Sequence, residues 1–121
     1  MSIGLIGTKL GMTREFIQSG QSVPVTVTKI ETGRIIEIIE KEKRGYSAVK
    51  VGYFKIKNSK LTKQMNGFFT KKNTEPKKIL KEYRVDKTEN YKTGNELGLD
   101  LLKDKKFVDV QSKTIGKGFA G

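Results

Sequence analysis

Cysteine, histidine and tryptophan are absent from the 121 residues, and the first two absences each remove a class of chemistry. Without cysteine there is no disulfide and no thiolate nucleophile; without histidine there is no imidazole base, and without either no Cys/His zinc site. No apolar run approaches the roughly 20 residues that span a bilayer. The first residues, with Gly4, Gly7, Lys9 and Gly11, also lack the apolar block of a signal peptide. Acids are scarce too: 13 Asp and Glu face 25 Lys and Arg, for a formal net charge of +12. Solubility asks far less of a small domain, so a polyanionic partner is the inference. Neither a membrane nor a small-molecule substrate, cofactor or metal is expected.

The carboxylates that do occur do not gather. Asp100, Asp104, Asp109 and the scattered glutamates mostly have lysine neighbours, and none forms a calcium loop, so they read as surface ion pairs. Gly116-Lys117-Gly118-Phe119-Ala120-Gly121 matches the letters of the dinucleotide fingerprint G-x-G-x-x-G. That motif works only between a strand and a helix, with an acid about 20 positions later, and neither follows here. Gly4, Gly7 and Gly11 lack the Lys-Ser ending of a phosphate-binding loop and are expected to serve close backbone approach within a strand.

Short β-type runs separated by turn residues organise the chain. Ile3 to Ile17, a turn at Ser19-Gly20 and Val23 to Ile30 read as a hairpin, with Pro24 near the start of its strand or on an edge. Arg34 to Glu40 fits a helical period too, but its four isoleucines favour a strand. Lys41 to Gly45 is a charged turn, and Tyr46 to Ile56 resumes a strand with Val49, Val51 and Tyr53 on one face. Leu61, Met65, Phe68 and Phe69 have helical spacing, with Asn58 or Ser59 placed to cap the start; Gly67 weakens that helix and Pro76 stops it. Ile79 to Val85, Glu96 to Leu102 and Lys106 to Val110 read as further strands, with Thr93-Gly94-Asn95 as a turn. The expectation is a mainly β chain: a small six- or seven-stranded β-barrel with one inserted short helix, forming a single domain over residues 1–121.

The basic charge is concentrated. From Lys50 to Lys81 there are ten lysines and one acid, Glu75. Lysine outnumbers arginine heavily in the whole chain, which suits phosphate contacts as point charges better than bidentate reading of bases. A solvated lysine surface is the plain alternative. Tyr53, Phe54, Phe68 and Phe69 fall inside the stretch and are candidates for base stacking, although Phe68 and Phe69 suit the core side of the helix better.

Ordered blocks then carry a resemblance. Ile3-Gly4-Leu5-Ile6-Gly7-Thr8-Lys9-Leu10-Gly11-Met12-Thr13-Arg14, Val23-Pro24-Val25-Thr26, Gly45-Tyr46-Ser47-Ala48-Val49-Lys50-Val51, Glu82-Tyr83-Arg84, Lys106-Phe107-Val108-Asp109-Val110 and Ile115-Gly116-Lys117-Gly118-Phe119-Ala120-Gly121 together resemble the N-terminal portion of bacterial-type ribosomal large-subunit protein three. The resemblance implies a barrel of the translation-protein type, and the helical spacing and lysine cluster mark a helical and basic insertion within it at about 57–78. The family's C-terminal half, with its long rRNA-penetrating extension, is expected to be absent. It further implies a structural, non-enzymatic role: binding the 3′-terminal region of large-subunit rRNA, nucleating assembly near the peptidyl-transferase region and touching neighbouring large-subunit proteins. The location implied is a cytoplasmic or organellar ribosome.

Within the matching motifs the resemblance puts Lys113, Lys117 and Phe119 in the segment leading to the rRNA, followed by Lys9 and Arg14. Lys55, Lys57, Lys60, Lys63, Lys71, Lys72, Lys77 and Lys78 are candidates through charge clustering alone. Ser112 departs from a common family glycine. Two other classes remain: an independent basic RNA-binding module of translation-factor-like fold, and a flavin- or nucleotide-binding enzyme, which the missing histidine and cysteine and the charge oppose.

Overall fold

In a computed structural model, which describes residues 3–121, six strands and two α-helices follow one another along the described residues. They are β1 (Gly7–Phe16), β2 (Ser22–Ile30), β3 (Gly33–Ile39), α1 (Lys41–Arg44), β4 (Ala48–Lys55), α2 (Lys63–Lys71), β5 (Lys77–Arg84) and β6 (Glu96–Leu97). The expected mainly β class with one inserted helix longer than a single turn is what the chain forms. Every strand pair is antiparallel, in a two-stranded sheet β1-β2 and a four-stranded sheet β5-β4-β3-β6.

The β1-β2 hairpin turns where Ser19-Gly20 was expected. Gly20 has φ 85° and its N–H donates to the Ile17 carbonyl, while the Ile17 N–H donates to Gln21. Pro24 lies third in β2, whose only strand partner among the described residues is β1, so its missing donor costs the sheet little. β1 starts later than expected, at Gly7, because the chain before it packs instead of pairing: Ile3, Leu5 and Ile6 lie against the main core. Close approach does account for Gly7, where a Cβ would stand 2.7 Å from the Thr28 methyl.

The core is built on β3 and β4. Val49, Val51 and Tyr53 alternate onto one face as expected, and join Ile35, Val85 and Leu97 there. Tyr53 is fully buried, and its hydroxyl is satisfied by the Gly4 carbonyl at 3.1 Å and the Tyr83 hydroxyl at 3.0 Å. A register shift between Ile35 and Glu37 bulges β3 at Ile36 and sets Glu37 opposite Lys50. Ile36, Ile39, Ala48 and Phe69 are all at most 2% exposed, so β3 and β4 have apolar cover on both faces. That is why Arg34 to Glu40 can hold four isoleucines as a strand.

Four expectations are corrected. Lys41 to Gly45 contains one helical turn, α1, ended by Gly45 at φ 83° with its N–H bonded to the Lys41 carbonyl. The cap of α2 is Thr62, whose hydroxyl accepts from the Met65 N–H, because Asn58 and Ser59 are consumed in a separate 3-10 turn over 58–60. Glu96 to Leu102 is a strand for two residues only and then a 3-10 turn. Lys106 to Val110 pairs with no strand among the described residues and is exposed throughout, Phe107 at 89%. Its alternation is strand-like, but among the described residues no strand takes it as a partner.

Truncating Phe69 removes a buried ring beneath the sheet, and Phe69→Ala should destabilise the fold by about 3–5 kcal/mol in urea unfolding. Phe16→Ala, at a site 66% exposed on the hairpin, should change stability by less than about 0.5 kcal/mol.

Candidate nucleic-acid interface

Helix α2 separates a core side from a charged side. Phe69 is buried and Phe68 and Met65 half-buried against the sheet, leaving Lys63 and Lys71 exposed on the opposite side. Phe68 meets Phe69 edge-on at 5.5 Å, so the expected core role holds fully for Phe69 and partly for Phe68. The helix ends with Asn73 at φ 56°, the Asn73 N–H bonding to Thr70 and the Thr74 N–H to Phe69. This stop turns the chain towards Pro76 and β5. The 58–60 turn is tied to α2 by the Asn66 amide donating to the Asn58 carbonyl at 3.1 Å. Between them lies a cleft of about 390 Å³ lined by Asn58, Asn66, Phe69, Thr70, Thr74 and Pro76.

Two carboxylates fix the cations nearest the sheet. Glu37, with a side chain 11% exposed, receives Arg44 at 2.9 Å, Lys72 at 3.2 Å and Lys50 at 3.4 Å. Burial works against its charge, but the hydrogen bond and charge of Lys72, then those of Lys50, prevail and hold the carboxyl below its ordinary range. Lys50 also lies 5.2 Å over the Phe68 ring and 3.7 Å from Glu82. Glu75, the acid inside the lysine-rich stretch, takes Lys77 at 3.3 Å, Arg34 at 3.7 Å and Lys55 at 4.0 Å. Chiefly through the Lys77 hydrogen bond, its carboxyl is likewise held low. Lys77 is only 7% exposed, its stem lying over Gly52, where a Cβ would come within 2.7 Å of the lysine Cγ.

The candidate residues therefore divide by environment. Lys72 and Lys77 are engaged inside the fold, and Lys55, though exposed, faces Glu75. Lys57, Lys60, Lys63, Lys71 and Lys78 are exposed, and among the described residues no acid forms an ion pair with them. All five lie on the 58–60 turn, α2, β5 or the residues adjoining them. Lys9 and Arg14 are exposed on β1 in the other sheet, with the Arg14 guanidinium 5.9 Å over Phe16. Lys113, Lys117 and Phe119 are exposed in a stretch without regular structure, Phe119 at 97%.

Charge counting missed a stacked pair at the far end of the sheet. The Arg84 guanidinium sits 5.1 Å over the Tyr46 ring, whose hydroxyl donates to Glu82 at 2.9 Å. That hydrogen bond, more than burial, pushes the Tyr46 phenol up. Burial first and the Tyr83 hydrogen bond second push Tyr53 up much further, so it remains an O–H donor. Both residues of the stacked pair fall in blocks already noted, Gly45 to Val51 and Glu82 to Arg84, but only the β4-β5 register, which sets Ala48 opposite Arg84, brings them together. Among the described residues no group of three acids could hold a metal ion, and no helix is long and apolar enough to cross a membrane.

No family model matches the chain. Curated relatives do. It is 64% identical over 119 residues to the large ribosomal subunit protein uL3 of Pelagibacter ubique (strain HTCC1062), an alignment covering 98% of the chain and 50% of the relative. It is 41% identical over 121 residues to uL3 of Magnetococcus marinus (strain ATCC BAA-1437 / JCM 17883 / MC-1), covering all of the chain and 56% of the relative. It is 40% identical over 121 residues to uL3c of Gracilaria tenuistipitata var. liui, covering all of the chain and 59% of that relative. The chain thus spans about half the length of the curated relatives it matches.

The two low carboxylates set a pH dependence. Glu37 and Glu75 bind protons more weakly in the folded chain than in the unfolded one. The stability they lend is therefore complete above the ordinary carboxylate pKa, about 4, and is lost as pH falls through their lower folded values. The urea midpoint should fall on acidification through that window, and Glu37→Gln should start lower at pH 7 and fall less.

Proposed function

Since the chain belongs to the uL3 family of large-subunit ribosomal proteins and spans about half its relatives' length, we propose that it is a structural, rRNA-anchoring part of the large ribosomal subunit. The observation that carries this reading is the division among the lysines. Lys50, Lys72 and Lys77 are paired with Glu37 or Glu75, whereas Lys57, Lys60, Lys63, Lys71 and Lys78 are exposed and, among the described residues, form no ion pair. Such a surface meets a phosphate backbone as a set of point charges and gains affinity by releasing condensed counterions. The surrounding structure is held by its own ion pairs and core, so the lysines are displayed from a formed scaffold. Affinity then comes from charge, and selectivity from the shape of the RNA.

Lys113, Lys117 and Phe119 extend the RNA-facing surface. Their segment has no fold to satisfy, and an exposed Phe beside lysines can stack on an unpaired base while the ammonium groups take phosphates. The RNA proposed is the 3′-terminal region of large-subunit rRNA, with early assembly near the peptidyl-transferase region and contact with neighbouring large-subunit proteins, in a bacterial or organellar ribosome. These details rest on the family resemblance.

Titration against a 3′-terminal large-subunit rRNA fragment over a range of salt concentrations tests the reading. Replacing the five exposed lysines by glutamine should reduce the slope of log affinity against log salt by about 0.7–0.9 for each phosphate that is no longer neutralised. Single replacements should weaken binding modestly and evenly. Equal affinity for an unrelated structured RNA in competition would contradict the ribosomal assignment and favour a general RNA-binding module.

A further inference from the structure

The cleft between the 58–60 turn and α2 differs chemically from the lysine face it belongs to. Asn58, Asn66, Phe69, Thr70, Thr74 and Pro76 line it, and none of them carries a charge. Lysines flank these residues along the chain: Lys57 and Lys60 on either side of Asn58, Lys71 directly after Thr70, and Lys78 shortly after Pro76. At about 390 Å³ the cleft is at the small end of ligand sites, which run from roughly 300 to 1,000 Å³. That is room for a single base and not for a duplex.

Its walls hold unused hydrogen-bonding capacity. The Asn58 carbonyl accepts from the Leu61 N–H at 3.2 Å and from the Asn66 amide at 3.1 Å, which leaves the Asn58 side-chain amide without a partner among the described residues. Asn66, donating through its nitrogen, keeps its side-chain oxygen as an acceptor. The Thr74 hydroxyl is out of solvent and has no hydrogen-bond partner among the described residues, while the Thr74 N–H is used on the Phe69 carbonyl. A covered hydroxyl without a partner is unfavourable, and a change of rotamer reorients it.

We infer that this cleft takes one unpaired nucleobase of the bound RNA, adenine in preference to the others, with the flanking lysines on the phosphates either side. The inference rests on the RNA-facing reading of those lysines and adds a base-reading site to it. Unstacked bases of single-stranded RNA are read by hydrogen bonds to their edges. A side-chain amide sets a donor beside an acceptor, which matches the N7 acceptor and N6 donor of adenine. Guanine offers two acceptors on that edge and calls for an Arg or Lys, which the cleft walls lack. Asn58 is the adenine-reading residue, Asn66 and Thr74 complete the polar contacts, and Pro76 gives an apolar wall.

Fluorescence anisotropy of the full chain with hexauridylate, and with variants of it carrying one adenosine, guanosine or cytidine at the third position, reads the preference at fixed salt. The adenosine variant should bind about fivefold or more tighter than the other three. Asn58→Ala should remove that preference and Thr74→Val should reduce it. Affinity for hexauridylate, its salt dependence and the urea midpoint should stay unchanged, because Asn58 is exposed and the Thr74 hydroxyl bonds to nothing in the fold. In NMR spectra the Asn58 side-chain amide signals should shift with the adenosine variant and not with hexauridylate. Equal affinity for the four oligonucleotides, or a preference that survives both substitutions, would overturn the inference while lysine-dependent binding leaves the RNA-facing reading standing. Binding indifferent to replacement of the five exposed lysines would overturn that reading, and the inference with it.

Discussion

A single carboxylate, Glu37, holds the pieces of the sheet's charged side in place. It stands in the middle of a β-strand, nearly out of solvent, and three cations from three different parts of the chain converge on it: Arg44 ending α1, Lys50 on β4 and Lys72 closing α2. A buried charge is costly unless paired, so each of these elements is held where its cation can reach. Helix α2 in turn buries Phe69 against the sheet, and the Lys50 ammonium stands 5.2 Å over the Phe68 ring. Position and charge are thereby settled together. On the side of α2 that meets the sheet Lys72 is paired with Glu37, and the outward side keeps Lys63 and Lys71 unpaired.

Glu75 repeats the device at the other end of the stretch, neutralising Lys77 beside Arg34 and Lys55. In a chain with 25 cations, most acids near the core act as internal counterions, so the unpaired charge accumulates where nothing packs. The resulting chain has two differently made surfaces: a lysine face on the helix side and an apolar, weakly charged hairpin. A polyanion suits the first.

Much of this was legible in the residues. The alternation of Val49, Val51 and Tyr53, the Ser19-Gly20 turn and the helical spacing through Phe69 each depend on local chemistry, and each is found. What depended on distant partners was not legible. The bulge at Ile36, which sets Glu37 opposite Lys50, leaves no mark in a run of isoleucines. Lys106 to Val110 has a strand's pattern, but a pattern states what a strand needs and not whether an edge is offered. The same limit applied to the lysines: Lys71 and Lys72 are neighbours in sequence, and only the fold places Glu37 beside the second and leaves the first exposed. Counting charge found the stretch, and sorting its members required the acids' positions.

The lysines proposed to meet the RNA are the exposed, unpaired ones between residues 57 and 78, and neither the paired lysines of that stretch nor exposed lysines elsewhere on the folded scaffold. Residue-resolved acetylation of lysines in the free chain and in its complex with 3′-terminal large-subunit rRNA measures this directly. Lys57, Lys60, Lys63, Lys71 and Lys78 should lose reactivity in the complex, while Lys41, Lys43, Lys87 and Lys92, which are also exposed, keep theirs. Uniform protection of all exposed lysines, or protection of the second group instead of the first, would contradict it.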